Sequence, residues 1–169
     1  TFEHASFLLS HDVKDSYSVF NNIVALGSLD FLQSNSDSFN KLHDFHNLKK
    51  DWLFGFFAYD LKNETEELLS ENIDNFNTPN LYFYIPKYVF IFEDSNIIIE
   101  TFSEKTEIDK LVSDINSQNK ISDLGINVEL DFREKKEQYL SKIKSIKNHI
   151  QEGDIYEMNY CQELYSENK

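Results

Sequence analysis

The stretch from Glu134 to Tyr165 constrains the fold more than any other. Tyr139, Ile143, Ile146 and Ile150 recur at i, i+4, i+7 and i+11, one apolar face of an amphipathic helix. Lys136, Lys142, Lys144 and Lys147 take up much of the remaining surface. Gly153 follows directly, where a residue in the left-handed conformation would end the helix. Asp154 then turns the chain. Ile155, Tyr156, Met158, Tyr160 and Leu164 have the partly alternating apolar pattern of a strand.

Upstream, short apolar runs alternate with helical patterns. Ala5 to Ser10 reads as a strand, Ile23 to Leu26 as a second closed by Gly27, and Leu29 to Leu32 as a third. Ser38 is placed to cap a helix whose apolar residues are Phe39, Leu42, Phe45 and Leu48. Trp52 to Asp60 is almost continuously apolar, which predicts a strand buried on both faces. Gly55 inside it marks a bulge or a close backbone approach. Leu61 to Ser70 reads as a short helix and Ile73 to Pro79 as a loop. Leu81 to Phe92 and Ile97 to Phe102 read as a hairpin, with Pro86 splitting its first arm into two pieces.

Thr106 to Gln118 predicts a helix with Ile108, Leu111, Val112 and Ile115 inward. Asn119 to Gly125 is the linker candidate, and Val128 to Phe132 is extended. Strands in local pairs with interspersed helices make this an α+β chain, mostly antiparallel sheets with flanking helices.

Composition excludes several functional classes. Hydrophobic residues make up 40% of 169 and aromatics 15%, which is globular rather than disordered. A net charge of -14 argues against nucleic acid and anionic membranes as partners. No run reaches the roughly 18 apolar residues of a membrane span. The single cysteine, Cys161, permits no internal disulfide and fits a reducing cytosol. With only four glycines, a phosphate-cradling loop is not expected.

The block "IQEGDIYEMNYCQELY", Ile150 to Tyr165, resembles the opening of the catalytic domain in chorismate-utilising enzymes. Within that group it is most similar to component I of para-aminobenzoate synthase, also called aminodeoxychorismate synthase. Two upstream segments extend the likeness. "WLFGFFAYDLKNETEEL", Trp52 to Leu68, resembles a strand and helix of that family's N-terminal domain, and "FLLSHDVKDSYSVF", Phe7 to Phe20, its first hairpin. The resemblance implies a two-sheet α/β sandwich, of which this chain holds part. Residues 1–130 would form the N-terminal domain and 131–169 the truncated beginning of the chorismate-binding domain.

The family's activity follows as an expectation. A component I of this kind aminates chorismate to 4-amino-4-deoxychorismate in folate synthesis. It uses Mg2+ and ammonia from a glutamine amidotransferase subunit in the cytoplasm. Its catalytic Lys motif, metal-binding glutamates and C-terminal His are expected beyond Lys169. This chain alone is therefore expected to be inactive and to hold no cofactor. The alternatives are an anthranilate or isochorismate synthase relative, or a non-catalytic module that binds tryptophan or docks the glutaminase. A terminal strand without its neighbour leaves an open sheet edge, so self-association is a further expectation.

Two sets of site residues carry over. The family's tryptophan pocket matches Ser10, Tyr17, Ser18 and Phe20, where aromatics would sandwich an indole and hydroxyls satisfy its polar groups. The other reading makes these aromatics core residues. Where the family often has a basic residue, this chain has Val19. Glu157 falls at a catalytic-domain position that is a general-base Lys in the water-adding enzymes and usually Gln in the aminating ones. A carboxylate there could polarise or deprotonate an amine, hydrogen-bond, or stand as a solvated strand residue.

His43 and His46 share one helix face and could supply half a metal site, though structural histidines are the expectation. Glu64, Glu66 and Glu67 read as a solvated face, and Cys161 as a buried, inert thiol.

Overall fold

The computed structural model describes residues 2–11, 13, 16–17, 19–20, 22–68, 74–93, 95–117 and 128–166. The chain divides into two compact units, Thr1–Ser117 and Gln118–Lys169. The linker candidate Asn119 to Gly125 lies outside the described residues, as does Ser18.

The first unit is built on two antiparallel sheets. Strands β1 (Ala5–Leu9), β2 (Asn22–Leu26), β6 (Tyr88–Phe92) and β7 (Ile97–Glu100) form a four-stranded sheet in the order β1-β2-β6-β7. Strands β3 (Asp30–Ser34), β5 (Leu81–Ile85) and β4 (Phe54–Phe57) form a three-stranded sheet in the order β3-β5-β4. Pro86 stands where β5 leaves one sheet and β6 enters the other. A residue without an N–H cannot extend a ladder, so the break falls where the sequence places it. The β6–β7 hairpin closes through paired backbone bonds between Glu93 and Asn96.

Side-chain alternation along β2 and β6 makes two cores from one sheet. Ile23 and Ala25 of β2 join Val89 and Ile91 of β6, Phe54 of β4 and Tyr84 of β5 in one buried cluster. Val24, Tyr88 and Phe90 face the other way and pack with Leu111 of α2 (Lys105–Ser117). The strands buried on both faces are thus β2 and β6. The Trp52–Asp60 run was expected in that role, but only Phe54–Phe57 is a strand, and it lies at a sheet edge with Gly55, Phe56 and Phe57 exposed. Gly55 does mark a close approach. A Cβ there would lie 1.9 Å from the Tyr82 carbonyl oxygen and 2.7 Å from the Phe83 Cα.

Three helical expectations are corrected. Helix α1 runs Ser38–Lys49 with Asp37, not Ser38, at its N-cap and in the left-handed conformation. Ser38 is the first helical residue and fully buried. Its N–H and hydroxyl donate to the two Glu64 carboxylate oxygens at 2.7 and 2.5 Å. A distant carboxylate therefore caps this helix, and Glu64 is not a purely solvated acid. Leu42 and Phe45 are half-buried, while Phe39 and Leu48 are exposed. Ser38, Leu42 and Phe45 thus make the inward stripe at i, i+4 and i+7. Of the helix expected over Leu61–Ser70, whose last two residues lie outside the described ones, the structure shows a 3₁₀ helix over Tyr59–Glu64, held by the buried Leu61. In α2, Ile108 and Leu111 are half-buried, but Val112 and Ile115 are exposed.

In the second unit, helix α3 (Lys136–Glu152) ends at Gly153, whose φ of 83° is the left-handed cap expected there. Tyr139, Ile143 and Ile146 are half-buried, and Ile150 is just exposed. The strand expected over Ile155–Leu164 is shorter. Only β9 (Leu164–Tyr165) pairs, with β8 (Asp131–Phe132). The segment before β9 has no ladder partner among the described residues, so alternation alone does not make it a strand. Cys161 is exposed rather than buried. No helix among the described residues is long and apolar enough to cross a membrane. The α+β class with antiparallel sheets and flanking helices is what the structure shows.

Candidate functional site

Two places carry the site residues, one in each unit. In the first unit, β1 and β2 form an antiparallel hairpin, with Leu9 opposite Asn22. Asn22 ties the loop to the strand by accepting the Ser10 N–H at 3.0 Å. The Ser10 carbonyl accepts the Val13 N–H at 3.0 Å. Beside this turn lies an open groove of ≈ 720 Å³ whose lining includes Phe7, Leu9, Ser10, Val19, Phe20 and Ile23. Phe20 also borders a second hollow of ≈ 620 Å³ against Ile91, Phe92 and Glu93 of β6 and its turn.

The structure brings Ser10 and Phe20 to one groove. Tyr17 is 92% exposed and does not line it. Phe20 also has neighbours that its motif did not reveal. Trp52 packs its ring 5.7 Å from Phe20 and donates its indole N–H to Glu100 at 2.7 Å. Val19 and Ile23 supply apolar wall. The groove is lined by apolar residues, the aromatic Phe7 and Phe20, and the polar Ser10 and His11, which suits a flat, largely apolar ligand with a polar edge.

In the second unit, the chain after α3 folds back along the helix. Tyr160 lies 5.5 Å from the Tyr139 ring and donates its hydroxyl to Glu134 at 2.6 Å. Lys142 forms an ion pair with the same carboxylate. Lys142 and Tyr160 together hold the Glu134 carboxyl below the usual glutamate range, and Glu134 holds the lysine above its own. Arg133 clasps Glu163 through two bonds of 2.9 and 3.1 Å and stacks 3.8 Å from the Tyr165 ring centre. These contacts fix the segment at Tyr160, Glu163 and Tyr165, and the Asp154 N–H, donating to the His149 carbonyl at 3.0 Å, ties its start to α3.

Glu157 stands between them. It is exposed and outside regular structure, next to the fully exposed Tyr156. A carboxylate in this position is accessible to a ligand and is not consumed by a fold contact among the described residues. His43 and His46 are both exposed on α1, and the His43 ring contacts the Asn47 amide at 2.8 Å. Among the described residues no third donor joins them. At the end of α3, Asp154 holds the His149 imidazole above its ordinary range by a hydrogen bond of 2.7 Å.

A family model described as chorismate binding enzyme matches residues 9–169. The fold is similar to the crystal structure of anthranilate synthase component I from Streptococcus pneumoniae TIGR4. The TM-score is 0.60 at 13% identity, over 85% of this chain and 42% of that one. At that identity the likeness speaks for the fold alone. The chain spans well under two thirds of the length of that protein. No curated protein matches it in sequence.

Proposed function

The chain belongs to the chorismate binding enzyme family, and from that premise we propose that it is the N-terminal part of an aminodeoxychorismate synthase component I. The parent protein would replace the hydroxyl of chorismate with an amine, giving 4-amino-4-deoxychorismate for para-aminobenzoate and folate synthesis. Ammonia would come from a glutamine amidotransferase subunit, in the cytoplasm.

One observation carries the choice among family reactions, and it is Glu157. An amine near neutral pKa at this position could activate water, and this chain has none there. The missing Lys is what argues against water addition, and the carboxylate standing there could polarise or deprotonate an incoming amine or hydrogen-bond to it. Its exposure leaves it open to a substrate.

Magnesium, which such a parent uses, prefers an all-oxygen set of ligands. Among the described residues the one close group of three donors, His149, Glu152 and Asp154, includes an imidazole nitrogen and does not fit that preference. These 169 residues alone are expected to be inactive.

A second reading has one observation in its favour. Ser10 and Phe20 share a groove of ≈ 720 Å³, the size of a small-molecule site. L-Tryptophan binding there would make this part a ligand-binding or glutaminase-docking module. The test is product analysis by chromatography, with chorismate, ammonium and Mg2+ supplied to the full encoded polypeptide and to this chain. The proposal expects 4-amino-4-deoxychorismate from the first and no turnover from the second. Anthranilate or isochorismate as product would refute it. Calorimetric titration of this chain with L-tryptophan tests the second reading, which Phe20→Ala should abolish.

A further inference from the structure

Helix α3 ends in a group of side chains that the proposed function does not use. His149 and Glu152 are three apart, on one face of the last helical turn. Gly153 then reverses the chain, and the Asp154 N–H donates back to the His149 carbonyl at 3.0 Å. The Gly153 N–H donates to the Ile150 carbonyl at 3.2 Å. The cap therefore pins Asp154 beside His149 through the main chain, independently of their side chains. His149 Nδ1 lies 2.7 Å from Asp154 Oδ2, and the donor atoms of all three residues lie within 4.8 Å of one another.

Those separations can be set against what a metal ion needs. Ligands about 2.1 Å from a tetrahedral ion stand about 3.4 Å apart. The closest pair here must open slightly and the widest close slightly. Both changes are within reach of side-chain rotation, because all three groups are exposed. The helix C-terminus adds its own negative end to the two carboxylates. The chain as a whole, at -14, concentrates cations around it.

We propose that His149, Glu152 and Asp154 bind a divalent transition-metal ion of the Zn2+ or Ni2+ type at the C-terminal end of α3. One nitrogen and two oxygen donors match ions of borderline softness, while Mg2+ and Ca2+ favour oxygen alone. Solvent completes the coordination. The site is local to six residues of one helix end, and neither Glu157 nor a residue lining the groove beside β1 belongs to it.

The experiment is calorimetric titration of the chain with ZnCl2, with Co2+ visible absorption as a second readout of coordination. One equivalent of Zn2+ is expected, undisturbed by excess Mg2+. Glu152→Gln, at an exposed position, should weaken binding several-fold. His149→Ala should weaken it at least about tenfold. Far-UV circular dichroism checks that each variant is folded, and His149→Gln serves if the alanine variant is not. His43→Ala/His46→Ala should bind as the parent does. No binding by the folded parent chain overturns the proposal. So does binding that survives loss of His149 or disappears with His43 and His46.

Discussion

The cap on α1 offers the sharpest energetic test. Ser38 is wholly buried and gives both its backbone N–H and its hydroxyl to Glu64. Hydrogen bonds to a charged group contribute about 1.5–3 kcal/mol each, and a buried donor left without a partner costs about 1–3 kcal/mol. Ser38→Ala removes one bond and keeps the other, so we expect a loss of about 2 kcal/mol. Glu64→Ala removes both and orphans two buried donors, so the loss should be about 3 kcal/mol. The double substitution should cost no more than Glu64→Ala alone, because deleting the hydroxyl then deletes an unsatisfied group. For a unit of this size each kcal/mol moves Tm by roughly 3–6 °C. Thermal and urea unfolding followed by circular dichroism measure all three. Losses that add in the double variant, to about 5 kcal/mol, would refute the shared-carboxylate cap. Near-parental stability of Glu64→Ala would refute it more simply.

Other consequences follow from the same packing. Gly55→Ala drives a methyl into the Tyr82 carbonyl at 1.9 Å, which is main chain and cannot rotate away. A loss of about 3 kcal/mol in urea unfolding is expected, and an unchanged midpoint would contradict it. Leu81 has no exposed surface, so Leu81→Ala should cost about 2–5 kcal/mol. Leu48→Ala, at a residue 79% exposed, should stay within about 0.5 kcal/mol in the same assay. Lys87 holds Glu107 below the usual glutamate value of 4.5. A depressed carboxyl adds stability above its unfolded pKa and loses it as pH falls through its folded one. The Tm difference between the parent chain and Glu107→Gln should therefore be present near neutrality and be lost in acid, as pH falls through the depressed folded-state pKa. It should also shrink in salt, because the pair is exposed. A difference that grows on acidification would reverse the sign and reject the pairing.

How much of this was legible depends on what kind of contact decides each feature. Local rules placed Gly153 as a helix cap and Pro86 at a strand break, because a left-handed φ and a missing N–H are properties of one residue. The double burial of β2 and β6 was not assigned, although both runs are apolar. A short apolar run looks the same in the centre of a sheet as at its edge. Only the order β3-β5-β4 puts Phe54–Phe57 at an edge. Ser38 failed as a cap for a related reason. The sequence rule looks for a side chain near the helix start, whereas the acceptor comes from Glu64 in the 3₁₀ helix.

The groove divides along the same line. Ser10 and Phe20 were paired through the family resemblance, and the β1–β2 hairpin places both at one groove. Trp52 was not, because it reaches Phe20 from the connection after α1 and is anchored by Glu100 on β7. Glu157 is the opposite case, because its position was found by motif, with no contact among the described residues to signal it. Its exposure means that neither packing nor stability requires a carboxylate there. A residue free of structural duty reports on chemistry when it is changed. Glu157→Gln should therefore leave the unfolding of this chain within about 0.5 kcal/mol of the parent. In the full polypeptide Glu157→Lys, which installs the residue of the water-adding enzymes, should reduce formation of the aminated product, while Glu64→Ala should act through stability. If Glu157→Gln were instead to destabilise the fold, its carboxylate would have a structural partner, and the argument for amination would lose its support.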